Sequence, residues 1–174
     1  MGNHAERLTP QPDFVVNYNE TGNDLMEYRN DEWNYRANCA PETWPENTVN
    51  MWHNMYRAWL KAPEGFDCYV RMRYDIVFDS VIDFTAWPML PDVVYIPNCS
   101  DYRDGVNDQM AFGSYGAMEK YFSVYLNHGK LFDSGLMFHS ETYLKHNLEM
   151  LGVKIRRIPV TNRIIRTKNE YETR

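Results

Sequence analysis

The clearest alternation of apolar and polar positions runs from Cys68 to Phe78. Cys68, Val70, Met72, Tyr74, Ile76 and Phe78 alternate with Tyr69, Arg71, Arg73, Asp75 and Val77. Successive side chains of a strand point to opposite faces, so this period of two predicts a central strand with one apolar face. Its other face carries Arg71, Arg73 and Asp75 in a row. Buried charge without a partner is costly, so that face is expected to open onto solvent, a cleft or a neutralising partner. The preceding segment has a different period: Val49, Trp52, Met55, Tyr56, Trp59 and Leu60 recur at three- and four-residue steps, which predicts an amphipathic helix. Pro45 suits its first turn, and Pro63 with Gly65 stop it. The helix is expected to cover the apolar face of the strand.

Further along, "VIDFTAW" reads as a short extended piece and "PDVVYIPN" as a strand of about six residues bounded by prolines. A polar loop follows from Cys99 to Asp108. Met118, Tyr121, Phe122, Tyr125 and Leu126 mark a helix starting near Ser114, an acceptable N-cap. In "SETYLKHNLEMLG", Ser140 can cap a second helix, Tyr143, Leu144, Leu148 and Leu151 form its apolar face, and Gly152 closes it. "VKIRRIPV" reads as a last strand. Before residue 44 the pattern is irregular, apart from a short strand at Phe14 to Tyr18 and a turn at Thr21 to Asp24. Residues 167–174 read as a frayed tail. Strands alternating with helices, with no repeat and no internal boundary, predict one α/β domain over 1–174. The expected form is a three-layer sandwich with a mixed, mostly parallel sheet.

Composition narrows the partners. Aromatic residues make up 15%, including 13 Tyr and 5 Trp, which suits a thick core or a pocket that stacks on flat polar ligands. A net charge of −6 argues against a nucleic-acid partner, which wants a basic footprint. Cys39, Cys68 and Cys99 form no C-x-x-C pair, so a zinc ribbon is not expected, and the odd count reads as reduced thiols in a cytoplasm-like compartment. No apolar run approaches the ~20 residues of a membrane span, and the first residues have no hydrophobic segment of signal-peptide type.

Three concentrations of residues could carry chemistry. Ligands of open α/β sheets sit at the carboxyl ends of strands, where Asp75, Asp101, Arg103, Asp104 and Asp108 could share a cleft. Carboxylates there could bind Mg²⁺ or Mn²⁺ or act as a base, and Arg71 and Arg73 could grip phosphate; the bland reading is that both arginines pair with nearby carboxylates. In "NDQMAFGS", Asn107, Asp108 and Gln109 precede a helix start that could hold an anion; the bland reading is an Asx-type turn. In "FHSE", His139 and Glu141 flank a helix start, where a histidine is more often a cap or surface residue and a glutamate is favoured by the helix dipole anyway.

Taken together, "FDCYVRMRYDIVF", "VVYIPN", "GVNDQMAFGSYGAMEKYFSVY", "HSETYLKHNLEMLGVKIRRIPV" and the closing "IIR" resemble small glycosyltransferase-like proteins of GT-A type, found in bacterial surface-polysaccharide loci and large viruses. The resemblance covers about Trp44 to Arg166. It implies transfer of a sugar from a nucleotide-sugar donor to a glycan or other hydroxyl acceptor, in a bacterial or host cytoplasm. Asp75 would stand at the metal-binding carboxylate motif for Mn²⁺ or Mg²⁺, with Arg73 where a D-x-D motif has its first aspartate. Arg71 and Arg73, with Asn107 and Gln109, would face the donor. Asp108 would be the acceptor-side carboxylate, His139 a late metal ligand, and Glu141 a neighbour of the site. Such proteins open with an apolar nucleotide-binding strand that is not evident before Phe14. The implied fold is therefore GT-A-like and N-terminally incomplete, with a homo-oligomer or a partner chain to complete it. Two other readings fit the residues: a non-catalytic carbohydrate- or nucleotide-binding relative, and a metal-dependent phosphodiester-cleaving enzyme.

Overall fold

A computed structural model describes residues 38–165. The strand expected at Phe14 to Tyr18, the turn after it, the irregular segment up to residue 37 and the tail over 167–174 lie outside the described residues. Helix α1 spans Pro45–Trp59, with proline in its first turn and Val49, Trp52, His53 and Trp59 buried. The alternating stretch is two strands, β1 (Tyr69–Met72) and β2 (Ile76–Phe78), rather than one. Then come β3 (Val93–Pro97), β4 (Met110–Gly113), α2 (Tyr115–Phe122), α3 (Val124–Asp133), α4 (Ser140–Met150), β5 (Lys154–Ile158) and β6 (Asn162–Ile164). The single helix expected after Ser114 resets at Ser123, whose hydroxyl donates to the Lys120 carbonyl at 2.8 Å. Ser114 is its N-cap, as its position suggested, accepting from the Ala117 N–H.

The main sheet has the order β1-β4-β3-β5. Antiparallel ladders join β1 to β4 and β3 to β4, and a parallel ladder joins β3 to β5. Strands β1, β3 and β5 therefore run one way and β4 the other, which makes the architecture mixed α/β around a mixed sheet. Strand β4 is fully buried although only four residues long. It was not foreseen as a strand, because "MAFG" is too short for a period to show.

The pleat separates two cores. Val94, Ile96 and Ala111 face the helices, packing with Trp59, Met118, Tyr121, Leu144 and Leu148. Val93, Tyr95, Met110 and Phe112 face the other way. That second face is covered by Ile76 and Phe78 of β2, paired with β6, and by Phe84, Trp87 and Met89. The third layer is thus a two-stranded ribbon with irregular chain, and "VIDFTAW" contains a short 3₁₀ turn capped by Asp83 instead of an extended piece.

The helix covers the opposite face of β1 from the one expected. Tyr69 packs edge-on against Trp59, its hydroxyl donating to the Pro63 carbonyl at 2.9 Å, and Arg71 lies against Met55 of α1. Val70 and Met72 stay about half exposed at the sheet's edge. The Tyr69 ring carries more apolar area than Val70 and still satisfies its hydroxyl, so the aromatic decides the side and brings Arg71 in with it.

Candidate functional site

The topology gathers the candidate residues at one edge of the sheet. Strands β1, β3 and β5 end where β4 begins: Met72 lies opposite Met110, and the Arg73 N–H donates to the Gln109 carbonyl at 3.0 Å. The loop after β3 closes over this edge. Asn107 has no exposed surface; its amide donates to the Cys99 carbonyl at 2.9 Å and to Asn162 at 3.1 Å, and its oxygen accepts from the Gln109 N–H at 2.7 Å. That last bond is the Asx turn of the bland reading. Asp101 accepts from the Asn107 N–H at 2.8 Å and forms an ion pair with Arg157 at the end of β5. The Gln109 side chain accepts from Asn162.

The loop also leans on the start of α4. Ser100, Arg103 and Asp104 adopt φ of 58°, 51° and 55°, a left-handed backbone that costs on the order of 1–3 kcal/mol per residue and persists only where surroundings enforce it. For Arg103 and Asp104, α4 does so: Thr142 Oγ1 donates to the Arg103 carbonyl at 2.7 Å, Lys145 Nζ to the Asp104 carbonyl at 3.0 Å, and the Val106 N–H donates to the Glu141 carbonyl at 3.2 Å. Gly105 lies so close to α4 that a Cβ would come within 2.3 Å of the Glu141 carbonyl carbon.

The three charges of the opening stretch part company. Arg73 donates from Nε and Nη2 to the two oxygens of Asp75, at 2.9 and 2.7 Å. Asp75, hydrogen-bonded to it, raises the Arg73 pKa further, and the Asp108 charge adds to the rise. Arg71 makes no such pair. Its Nη2 reaches only the Met55 sulfur at 3.7 Å, and its buried Nη1 has no hydrogen-bond partner among the described residues.

His139 is the N-cap residue of α4, in extended backbone, but its side chain makes no capping bond, and Ser140 is already helical. The residue is 9% exposed, its Nδ1 is buried without a hydrogen-bond partner among the described residues, and burial lowers its pKa. Two residues on, Glu141 is 7% exposed with Oε2 equally unpartnered. Burial, reinforced by the Asp108 charge, pushes its carboxyl up to about 8, against an opposing bond from the Tyr102 N–H. Tyr121, fully buried on α2, has its hydroxyl pKa raised by burial, with Arg71 opposing and Asp108 and Glu141 adding to the rise. The half-buried Asp108 thus acts electrostatically on Arg73, His139, Glu141 and Tyr121 together.

Arg71, Arg73, Asp75, Asp108, His139 and Glu141 accordingly belong to one neighbourhood, while Asn107 and Gln109 build the loop beneath it. Sequence reasoning missed Tyr121, which has the spacing of a helix core residue, and Tyr102, an exposed loop aromatic with no periodic signal. Among the described residues no three His, Cys, Asp or Glu side chains are grouped to hold a metal ion. With both Asp75 oxygens accepting from Arg73, Asp75 and His139 do not by themselves make up the cation site that the resemblance implies.

No protein-family model, no curated protein and no solved structure matches the chain.

Proposed function

We propose that the chain acts on a nucleotide-sugar, as a glycosyltransferase of GT-A type that hands the sugar to a hydroxyl acceptor. The observation that carries this reading is Arg71: a guanidinium at the carboxyl end of β1, partly buried, with Nη1 unpartnered among the described residues. A buried cation without an anion favours a ligand that brings one, and a diphosphate fits the planar donor array of arginine. In the reaction, the bond between the anomeric carbon and the diphosphate oxygen breaks. The acceptor oxygen bonds that carbon, and its proton passes to the Asp108 carboxylate. Charge developing on the departing nucleoside diphosphate is offset by Arg71 and, at the rim, by Arg73.

A second reading is binding of a nucleotide or carbohydrate without turnover. It is favoured by the Arg73–Asp75 pair, which engages the carboxylate that the resemblance assigns to metal binding. One screen separates the two: thermal shift and donor hydrolysis across nucleotide-sugars, with and without Mn²⁺, on wild type, Arg71→Ala and Asp108→Asn. Hydrolysis lost in both variants supports transfer, and stabilisation without hydrolysis supports binding alone. No stabilisation by any nucleotide or nucleotide-sugar sinks both.

A further inference from the structure

His139 and Glu141 are each more than nine-tenths buried, and each leaves one side-chain atom, Nδ1 and Oε2, without a hydrogen-bond partner among the described residues. Leaving such groups unpaired is costly, and a ligand that pairs with them recovers that cost. Tyr102 stands beside both: its ring centroid lies 5.3 Å from that of His139, and its backbone N–H is near enough to the Glu141 carboxyl to oppose the rise in its pKa. The Tyr102 side remains 48% exposed, so it forms the outer wall of the pair. Asp108 lies within electrostatic reach of both buried groups.

We propose that Tyr102, His139 and Glu141 form a subsite for an uncharged sugar ring, the acceptor, beside Asp108. This rests on the glycosyltransferase reading and adds the class of acceptor. A sugar offers several hydroxyls, each able to donate and accept, which suits an imidazole nitrogen and a carboxyl oxygen that both lack partners. Its C–H face suits an aromatic wall. Asp108 stands at this end, and the Glu141 carboxyl, held protonated by burial, can donate to a hydroxyl; a ring bearing a carboxylate or phosphate meets repulsion from Asp108 that a neutral ring does not. The wall is held firmly: the loop that carries Tyr102 is pinned to α4 through Arg103, Asp104 and Val106. Specificity at such a site comes from buried polar groups that a wrong ligand leaves unpaired.

The test uses the full chain and saturation-transfer NMR with methyl glycosides of glucose, galactose and mannose, beside the matching uronates. Uridine and guanosine diphosphate are titrated in parallel. The expected result is contact with at least one neutral glycoside and at least tenfold weaker contact with its uronate. Tyr102→Ala should lose the glycoside signal, whereas Tyr102→Phe, which keeps the ring, should bind within about twofold of wild type. Glu141→Gln and His139→Ala should each weaken binding about tenfold, with melting curves confirming that the variants fold. Diphosphate binding with no glycoside contact, or glycoside contact indifferent to Tyr102→Ala and Glu141→Gln, overturns the subsite and leaves the donor reading standing. Uronates bound as well as neutral rings overturn the neutral-acceptor assignment. Glycosides bound with no diphosphate binding keep the subsite and remove the donor reading.

Discussion

Arg73 holds Asp75 in a two-point ion pair, with its Nε and Nη2 each donating to a carboxylate oxygen. The consequence falls on Arg71, two positions back, which pairs with no carboxylate among the described residues. If the pair keeps Arg73 occupied, the two arginines contribute unequally to holding a phosphate. Arg71→Ala should weaken nucleoside-diphosphate binding by about 1.5–3 kcal/mol, roughly tenfold to a hundredfold. Arg73→Ala should cost less, because Asp75 already neutralises Arg73. Calorimetric titration of the two variants checks the order; equal losses would mean that the ion pair opens on binding.

Stability should carry the signature of Glu141. Its folded carboxyl titrates near 8, against 4.5 for an unperturbed side chain. Below about 4.5 both folded and unfolded chains hold the proton. Between 4.5 and about 8 the unfolded chain releases it while the folded chain keeps it, so this group's contribution to stability falls as pH rises. Glu141→Gln should remove that slope and gain on wild type toward pH 8. His139 acts in the opposite sense: burial lowers its pKa from 6.5, so its contribution is lost as pH falls below that value. Denaturant melts at a series of pH values separate the two.

Gly105→Ala should unseat the loop. The added Cβ would lie 2.3 Å from the Glu141 carbonyl carbon and 2.5 Å from the Thr142 nitrogen, both backbone atoms with no room to give. Overpacking of this kind costs typically ~1–3 kcal/mol, and more where backbone must move. Thermal unfolding measures the loss, and a drop in diphosphate binding at temperatures where the variant is still folded would locate it at the site.

Asn107 should prove a structural residue. Asn107→Ala leaves the Gln109 N–H and the Cys99 carbonyl without their Asn107 partner, costing about 1–3 kcal/mol for each group left unpaired. Gln109→Ala removes one bond to Asn162 and should cost less. Chevron or equilibrium denaturation of both variants checks the ranking.

Much of this was legible in the chain. The three- and four-residue steps of Val49, Trp52 and Trp59 marked α1, and the β-branched run of "VVYI" marked β3 because both are long enough for a period to show. Motif order singled out Arg71, Asp108, His139 and Glu141 as candidates without showing how they meet. What pattern could not supply was the side on which β1 turns its charges. Alternation fixes two faces without saying which is covered, and Tyr69 decided it through a hydroxyl bond to a proline carbonyl. Nor could it show that Arg73 and Asp75 leave the strand to clasp each other, or that Tyr121 places a phenol under Asp108. Those depend on the reversed strand β4, whose four residues carry no period of their own.

That reversed strand also sets how the site can move. Asp108 sits just before β4, and Tyr121, thirteen positions later on α2, brings its hydroxyl back to 3.5 Å from the Asp108 carbonyl. The chain leaves the neighbourhood as a buried central strand and returns as a buried helix, so the floor of the site cannot loosen without breaking the middle of the sheet. Amide protons from Met110 to Phe112 and along α2 should therefore exchange in one cooperative event near the global unfolding energy, while the loop at Ser100 to Asp104 exchanges earlier. A molecule so built would receive its ligands at the wall, not by opening its floor.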